Sequence, residues 1–120
     1  MDSKYLSFEY TQKPWGDYKR FTLNTISTVK LLTLNPNSSL SLQYHNHREE
    51  FWRILPGGNG KVTLGDRELE VKPGDEVYIP VKTNHRLQSY DQTVYFLEIS
   101  FGEFDEEDIV RLADSYGRVS

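Results

Sequence analysis

The segment Gln43-Tyr44-His45-Asn46-His47-Arg48-Glu49-Glu50 crowds potential metal donors into one short stretch, and Pro80-Val81-Lys82-Thr83-Asn84-His85 carries the only other histidine. Alternate side chains of a strand share a face, so Gln43, His45 and His47 point the same way if residues 40–47 are extended. Glu50 lies beyond the end of that strand, and His85 begins another. Gln43, His45, Glu50 and His85 together make an oxygen and nitrogen donor set suited to one divalent transition metal. Such a set accepts zinc, manganese, nickel, cobalt or iron, with zinc heading the expectation. The plainer alternative is a half-buried polar cluster that holds no metal.

The two segments resemble the two cupin motifs. The first motif runs Gly, five residues, His-x-His, three or four residues, Glu, six residues, Gly. With Gln43 in place of the first histidine, His45, Glu50 and Gly57 fall in register, and Asn37 stands at the leading glycine. In the second motif Gly74, Pro80 and His85 match, while Lys82 and Ser89 stand where Gly and Asn are expected. Within the cupins the closer resemblance is to type II mannose-6-phosphate isomerases, including the C-terminal domain of bifunctional enzymes that also carry a GDP-mannose pyrophosphorylase. It rests on Lys13-Pro14-Trp15-Gly16, residues 40–52, Tyr78-Ile79-Pro80, His85-Arg86-Leu87 and the run from Glu107 to Arg118, which together cover nearly the whole chain. The resemblance implies a cupin jelly-roll (double-stranded β-helix) barrel and the same Gln, His, Glu, His metal set. It also implies Arg48 in or near a sugar-phosphate site, with Arg111 or Arg118 close to substrate.

The elements that must position these residues read as strands. Apolar alternation marks residues 18–23, 28–34, 40–45, 50–55, 61–64, 68–71, 76–79, 85–88 and 93–101, with Asn-, Gly- and Pro-rich turns between them. Short strands at such spacing favour an all-β double-sheet jelly roll or small barrel. One short C-terminal helix is expected from about Glu106 to Asp114, capped by Asp105, with the acidic Glu106, Glu107 and Asp108 at the positive end of its dipole. Phe51 and Trp52 read as core packing, with sugar stacking by Trp15 or Trp52 as the lesser alternative.

At 120 residues, 1–120 reads as a single cupin domain, with no room for a nucleotidyl-transferase half. A formal charge of -4 and a pI near 5.3 exclude general nucleic-acid binding, since no basic stripe appears. The chain has no cysteine, hence no disulfide or thiolate chemistry. Neither a signal peptide nor a membrane span is apparent, so the sequence reads as cytoplasmic. A homodimer is expected, formed through barrel strands or the apolar residues 1–12.

The isomerisation implied by the resemblance moves a proton between C1 and C2 through an enediol, which needs an electrophile at the sugar oxygens and a base at the carbon. His47 is the first candidate for the base and Glu49 the second, with His47 as an additional metal ligand the alternative. Arg48, Lys82, Arg111 and Arg118 are candidates for phosphate recognition, because a guanidinium matches the anion's geometry. Three function classes stay open: a mannose-6-phosphate isomerase, another small cupin enzyme acting on a sugar or sugar phosphate, and a non-catalytic sugar-binding cupin.

Overall fold

In the computed structural model the described residues are 8–113. They form β1 (Glu9–Lys13), β2 (Gly16–Arg20), β3 (Ser27–Leu34), β4 (Leu42–Tyr44), β5 (Glu50–Ile54), β6 (Gly60–Leu64), β7 (Arg67–Val71), β8 (Glu76–Ile79), β9 (His85–Ser89), β10 (Val94–Phe101) and β11 (Val110–Ala113). β1 and β2 make a hairpin of their own. The rest divide into a four-stranded sheet ordered β3-β10-β5-β8 and a five-stranded sheet ordered β11-β4-β9-β6-β7. Chain neighbours alternate between the two sheets from β4 to β6 and again from β7 to β10, the crossing pattern of a jelly roll.

The alternation that marks each strand also decides its inward face. Val94, Phe96, Glu98 and Ser100 of β10 are buried, while Tyr95 between them is exposed. On β5, Trp52 and Ile54 join Leu34, Val62, Val77, Ile79, Leu87, Val94 and Phe96 in one core between the sheets. Trp52 is 1% exposed, so its indole is core, as its apolar setting suggests. Trp15 stands 74% exposed at the turn of the β1–β2 hairpin. The outer face of β5 and β10 is covered separately: Phe51, Ile99 and Phe101 pack with Phe21, and Phe8 adds its ring 5.5 Å from that of Phe51. Lys19 fastens the hairpin further through a 2.6 Å ion pair with Glu76.

Two expectations fail at the edges. β1 carries no apolar alternation and is found only as the partner of β2. The C-terminal helix is absent across its described part, where β11 pairs antiparallel with β4 instead. The capping signal was real but local: Asp105 Oδ1 accepts the Glu107 N–H at 3.0 Å, and the Asp108 N–H donates to the Asp105 carbonyl at 3.1 Å. One turn forms and goes no further, because pairing with β4 satisfies the next backbone groups and tertiary context overrides weak helix propensity. The last residue of the expected helix, Asp114, lies outside the described residues.

The departures from the motif glycines find an explanation in the backbone. Asn37 (φ 53°), Gly57 (φ 150°), Gly74 (φ 95°) and Lys82 (φ 58°) all have positive φ. The motif's glycines mark a conformation, and Asn is the residue that best tolerates it after Gly. Lys82 is the strained case. It is held there by its own N–H, which donates to the His45 carbonyl at 2.6 Å and so joins the two motif segments. Ser89, in the place of the motif's Asn, ties the end of β9 to the loop before β4: its hydroxyl donates to the Asn35 carbonyl at 2.5 Å and accepts the Ser38 N–H at 2.9 Å.

Lys82→Gly keeps the backbone hydrogen bond and removes the Cβ clash. We expect it to stabilise the protein by about 1 kcal/mol, read as a higher denaturation midpoint with an unchanged m-value. A loss of stability would mean that the lysine side chain contributes more than its backbone strain costs.

Candidate metal centre

The barrel interior is apolar at one end and polar at the other. On the four-stranded sheet, the cross-strand row of Leu34 and Val94 and the next row of Leu32, Phe96 and Ile54 give way to Lys30, Glu98 and Trp52, then to Thr28, Ser100 and Glu50. On the facing sheet, Arg111, Gln43 and His85 form one row across β11, β4 and β9. Directly paired residues share a face, so Gln43 and Arg111 stand on the side of the sheet that carries His85.

Three donors meet where the two sheets face each other. His45 Nε2 lies 3.4 Å from Glu50 Oε2, and His85 Nε2 lies 3.6 Å from Glu50 Oε1. The contributed atoms are all within 4.8 Å of one another, and all three residues are buried. Metal bonds of about 2.1 Å at tetrahedral angles put neighbouring ligand atoms roughly 3.4 Å apart, so these separations suit one ion.

Each imidazole is oriented by a backbone carbonyl. His45 Nδ1–H donates to the Asp108 carbonyl at 2.6 Å, and His85 Nδ1–H to that of Thr83 at 2.8 Å. Both rings therefore turn an Nε2 lone pair toward Glu50, the arrangement that metal-binding histidines use. His85 Nε2 is buried with no hydrogen-bond partner among the described residues, an orphaned acceptor that a cation would satisfy. Burial, as the largest influence, lowers the pKa of both histidines, that of His85 to about 4, which keeps them in the neutral form that ligation requires. Burial pushes the Glu50 carboxyl up, against the charge and hydrogen bond of Arg48.

Arg48 is part of this cluster. Its Nε donates to Glu50 Oε2 at 3.0 Å, Nη2 contacts His45 Nε2 at 3.2 Å, and Nη1 donates to the Asp105 carbonyl at 3.3 Å. The guanidinium also lies over the Phe104 ring, 4.6 Å from its centroid. One lone pair on His45 cannot serve both Nη2 and a metal, so Arg48 and an ion compete for it.

Other sequence candidates fall elsewhere. His47 does not share the face of His45. β4 ends at Tyr44, and the Asp108 carboxylate accepts the N–H groups of Asn46 and His47 at 2.8 and 3.0 Å, turning the chain. His47 is left exposed, lining a cleft of about 450 Å³ with Glu103, Phe104, Asp105 and Asp108. Glu49 points away from the cluster: its carboxylate accepts the Tyr78 hydroxyl at 2.9 Å, and Tyr78 sits between the core residues Val77 and Ile79 on the opposite face of β8. Lys82 is exposed, and Arg118 lies outside the described residues.

Two residues escaped the sequence reading. Asp108, expected at a helix start, grips the ligand loop with its carboxylate and its carbonyl. Burial alone would raise its carboxyl, but the two N–H groups hold it below the usual range. Glu98, 7% exposed on the inner face of β10, is pushed up to about 7 by burial and then by the charge of Glu50. The signal for Glu98 was present, as a lone acid at an inward position of an apolar strand.

A double-sheet β-barrel with His, Glu and His at its mouth defines a cupin. Solved structures agree on the fold: a cupin protein from Bacteroides fragilis superposes with a TM-score of 0.59 at 23% identity, covering 69% of this chain and 72% of that one. The capsular polysaccharide assembling protein CapF from Staphylococcus aureus gives 0.65 at 17% identity over 89% of this chain and 34% of its own. Residues 2–114 match the family described as mannose-6-phosphate isomerase C-terminal, and the chain belongs to that family. Among its relatives are the xanthan biosynthesis protein XanB of Xanthomonas campestris pv. campestris, 38% identical over 88% of this chain, and the alginate biosynthesis protein AlgA of Pseudomonas aeruginosa, 36% identical over 90%. The mannose-1-phosphate guanylyltransferase of Escherichia coli is 36% identical over 89%. The chain spans 23% of the length of each of these three.

Protein prepared without chelator should carry about one divalent ion per chain by elemental analysis, and His45→Ala should carry none. Asp108→Ala leaves every donor in place but frees the loop, and should weaken metal binding roughly 10- to 100-fold in a chelator competition. Metal content that is equal in wild type and His45→Ala removes the site.

The raised Glu98 pKa also fixes the sign of a stability effect. Above about 7 the folded state must hold a buried carboxylate, a cost that disappears as pH falls below the unfolded value of 4.5. Glu98→Gln should therefore be more stable than wild type above neutral pH, by on the order of 3 kcal/mol at most, with the gap closing toward acid. Thermal unfolding of the two proteins across pH measures it.

Proposed function

We propose that this chain is a metal-dependent aldose-ketose isomerase that interconverts mannose 6-phosphate and fructose 6-phosphate. The observation that carries the reading is the buried His45, Glu50 and His85 group at the barrel mouth, in direct contact with the Arg48 guanidinium, in a chain of this family. His45, Glu50 and His85 would hold the ion, with Gln43 as the fourth ligand from the position paired with His85; zinc is the first choice for this donor set. When bound, the ion would polarise the oxygens at C1 and C2.

The chain's own residues then have separable tasks. Arg48 orients Glu50 and offers guanidinium donors to the substrate's phosphate or to the negative charge that develops on the sugar oxygens. Arg111 stands in the row of Gln43 and His85 with a buried Nε that has no hydrogen-bond partner among the described residues, a donor for the same anion. Lys82, exposed beside the mouth, would contribute charge rather than a fixed contact. Arg118 is included in the substrate site on the strength of the resemblance alone. The partner on this reading is a small cytoplasmic sugar phosphate, with neither nucleic acid nor membrane involved, and among the described residues no helix is long and apolar enough to cross a membrane.

One observation favours a second reading, a cupin that binds an uncharged sugar. The cleft beside Arg48 is lined by Glu103, Asp105 and Asp108, which suit hydroxyl groups better than a phosphate.

The proposal extends to a homodimer. β3 is an edge strand whose outward Val29 and Leu31 are 58% and 75% exposed, and a second copy would cover them. Light scattering that finds only the monomer mass at micromolar concentration removes this part.

A coupled assay with mannose 6-phosphate, run with and without chelator, tests the activity. At saturating metal, Arg48→Lys keeps the charge but loses the planar fork, and should reduce kcat by roughly a hundredfold or more. A metal-loaded wild type without isomerisation refutes the enzyme reading and leaves the sugar-binding one. Full activity of Arg48→Lys refutes the role given to Arg48 alone.

A further inference from the structure

We propose that Glu98 is the residue that carries the proton between the two sugar carbons, an inference that rests on the isomerase reading above. Within the barrel Glu98 is a second inward carboxylate, paired across the sheet with Lys30 on one side and Trp52 on the other. Since Glu50 pairs with Ser100 two residues along β10, Glu98 and Glu50 are diagonal neighbours on one face. Glu98 is nevertheless outside the donor group formed by His45, Glu50 and His85. It is a carboxylate beside the centre rather than in it.

Its surroundings are poor in partners for a buried acid. Among the described residues the side chain receives one long hydrogen bond, from the Ser100 hydroxyl at 3.3 Å. Core packing does not require an acid at a position whose inward neighbours along β10 are Phe96 and Ser100. Burial, and then the charge of Glu50, raise its pKa to about 7, with the charges of Lys30 and Arg48 opposing. His47, the base expected from the sequence, is exposed over the outer cleft instead.

The transfer balances without any further reactant. The Glu98 carboxylate takes the proton from C2 of the open-chain aldose; the C2–H electron pair becomes the C1=C2 bond, and the carbonyl π pair moves to O1. The C1=C2 pair then takes the same proton from Glu98 at C1, while the O2–H pair forms the ketone and the O2 proton passes to O1. Glu98 ends as it began, ionised.

Glu98→Gln preserves shape and removes the base. At saturating metal it should lose at least about a hundredfold in kcat, with metal content and KM unchanged. Deuterium at C2 of the substrate should give a primary isotope effect, and formate should restore part of the rate of a folded Glu98→Ala. Wild-type rates in Glu98→Gln overturn the proposal while leaving the isomerase reading intact. A fall in metal content makes Glu98 a ligand, and an Ala variant that formate does not help makes it a packing residue; both results also overturn it. A metal-loaded wild type inactive on mannose 6-phosphate removes the reading and the proposal together.

Discussion

The structure turns on one carboxylate taken out of water. Glu50 is 2% exposed at the boundary between an apolar barrel floor and a polar mouth, and a buried carboxylate persists only when positive charge and hydrogen bonds compensate it. Arg48 supplies both, while His45 and His85 are turned toward Glu50 and kept neutral by the same burial. The arrangement draws a cation toward two nitrogens and a carboxylate. It also explains why Arg48, a residue type seldom buried, is only 9% exposed.

Holding that carboxylate requires fastening two loops that no regular strand controls. His45 follows the last residue of β4, and its ring, the turn after it and the position of His47 all depend on Asp108, from a segment far along the chain. On the other side, His85 opens β9 directly after a turn whose Lys82 N–H reaches the His45 carbonyl. Both histidines are thus aimed by backbone carbonyls and linked by a backbone hydrogen bond. The ligand geometry is therefore a property of the loop crossings, and changes to distant turns can reach it.

The strands and their inward faces were legible because each alternates apolar and polar residues with a period of two, and the meeting of His45, Glu50 and His85 was legible because motif spacing records how strands return to one mouth. The helix expected at Glu106 was misread for a physical reason. Acidic residues after Asp105 look the same whether they start a helix or clasp a neighbouring loop, and only the pairing of β11 with β4 separates the two. Alternation assumes that the strand continues, whereas Asp108 ends it, so His47 leaves the face of His45. Asn37 and Lys82 depart from the motif glycines in residue type, yet both keep the positive φ that those glycines provide.

The charges around the mouth bear on how an anionic substrate would enter. The chain is net negative, and the outer cleft with Glu103, Asp105 and Asp108 repels a phosphate at range, although salt screens such surface fields within about 8–10 Å. Within that distance the order of charge reverses. Arg48 and Lys30 lie over the Phe104 ring, with centroid distances of 4.6 and 4.4 Å, and Arg111 stands on the row of the ligands. A dianion that reaches the mouth therefore meets the buried Arg48 guanidinium, where a contact is worth more than at the surface. The acidic rim slows the approach of any anion, and the inner cations reward one with a phosphate at the right distance from the sugar carbonyl. On the isomerase reading, selectivity arises from that contrast between rim and interior rather than from overall attraction.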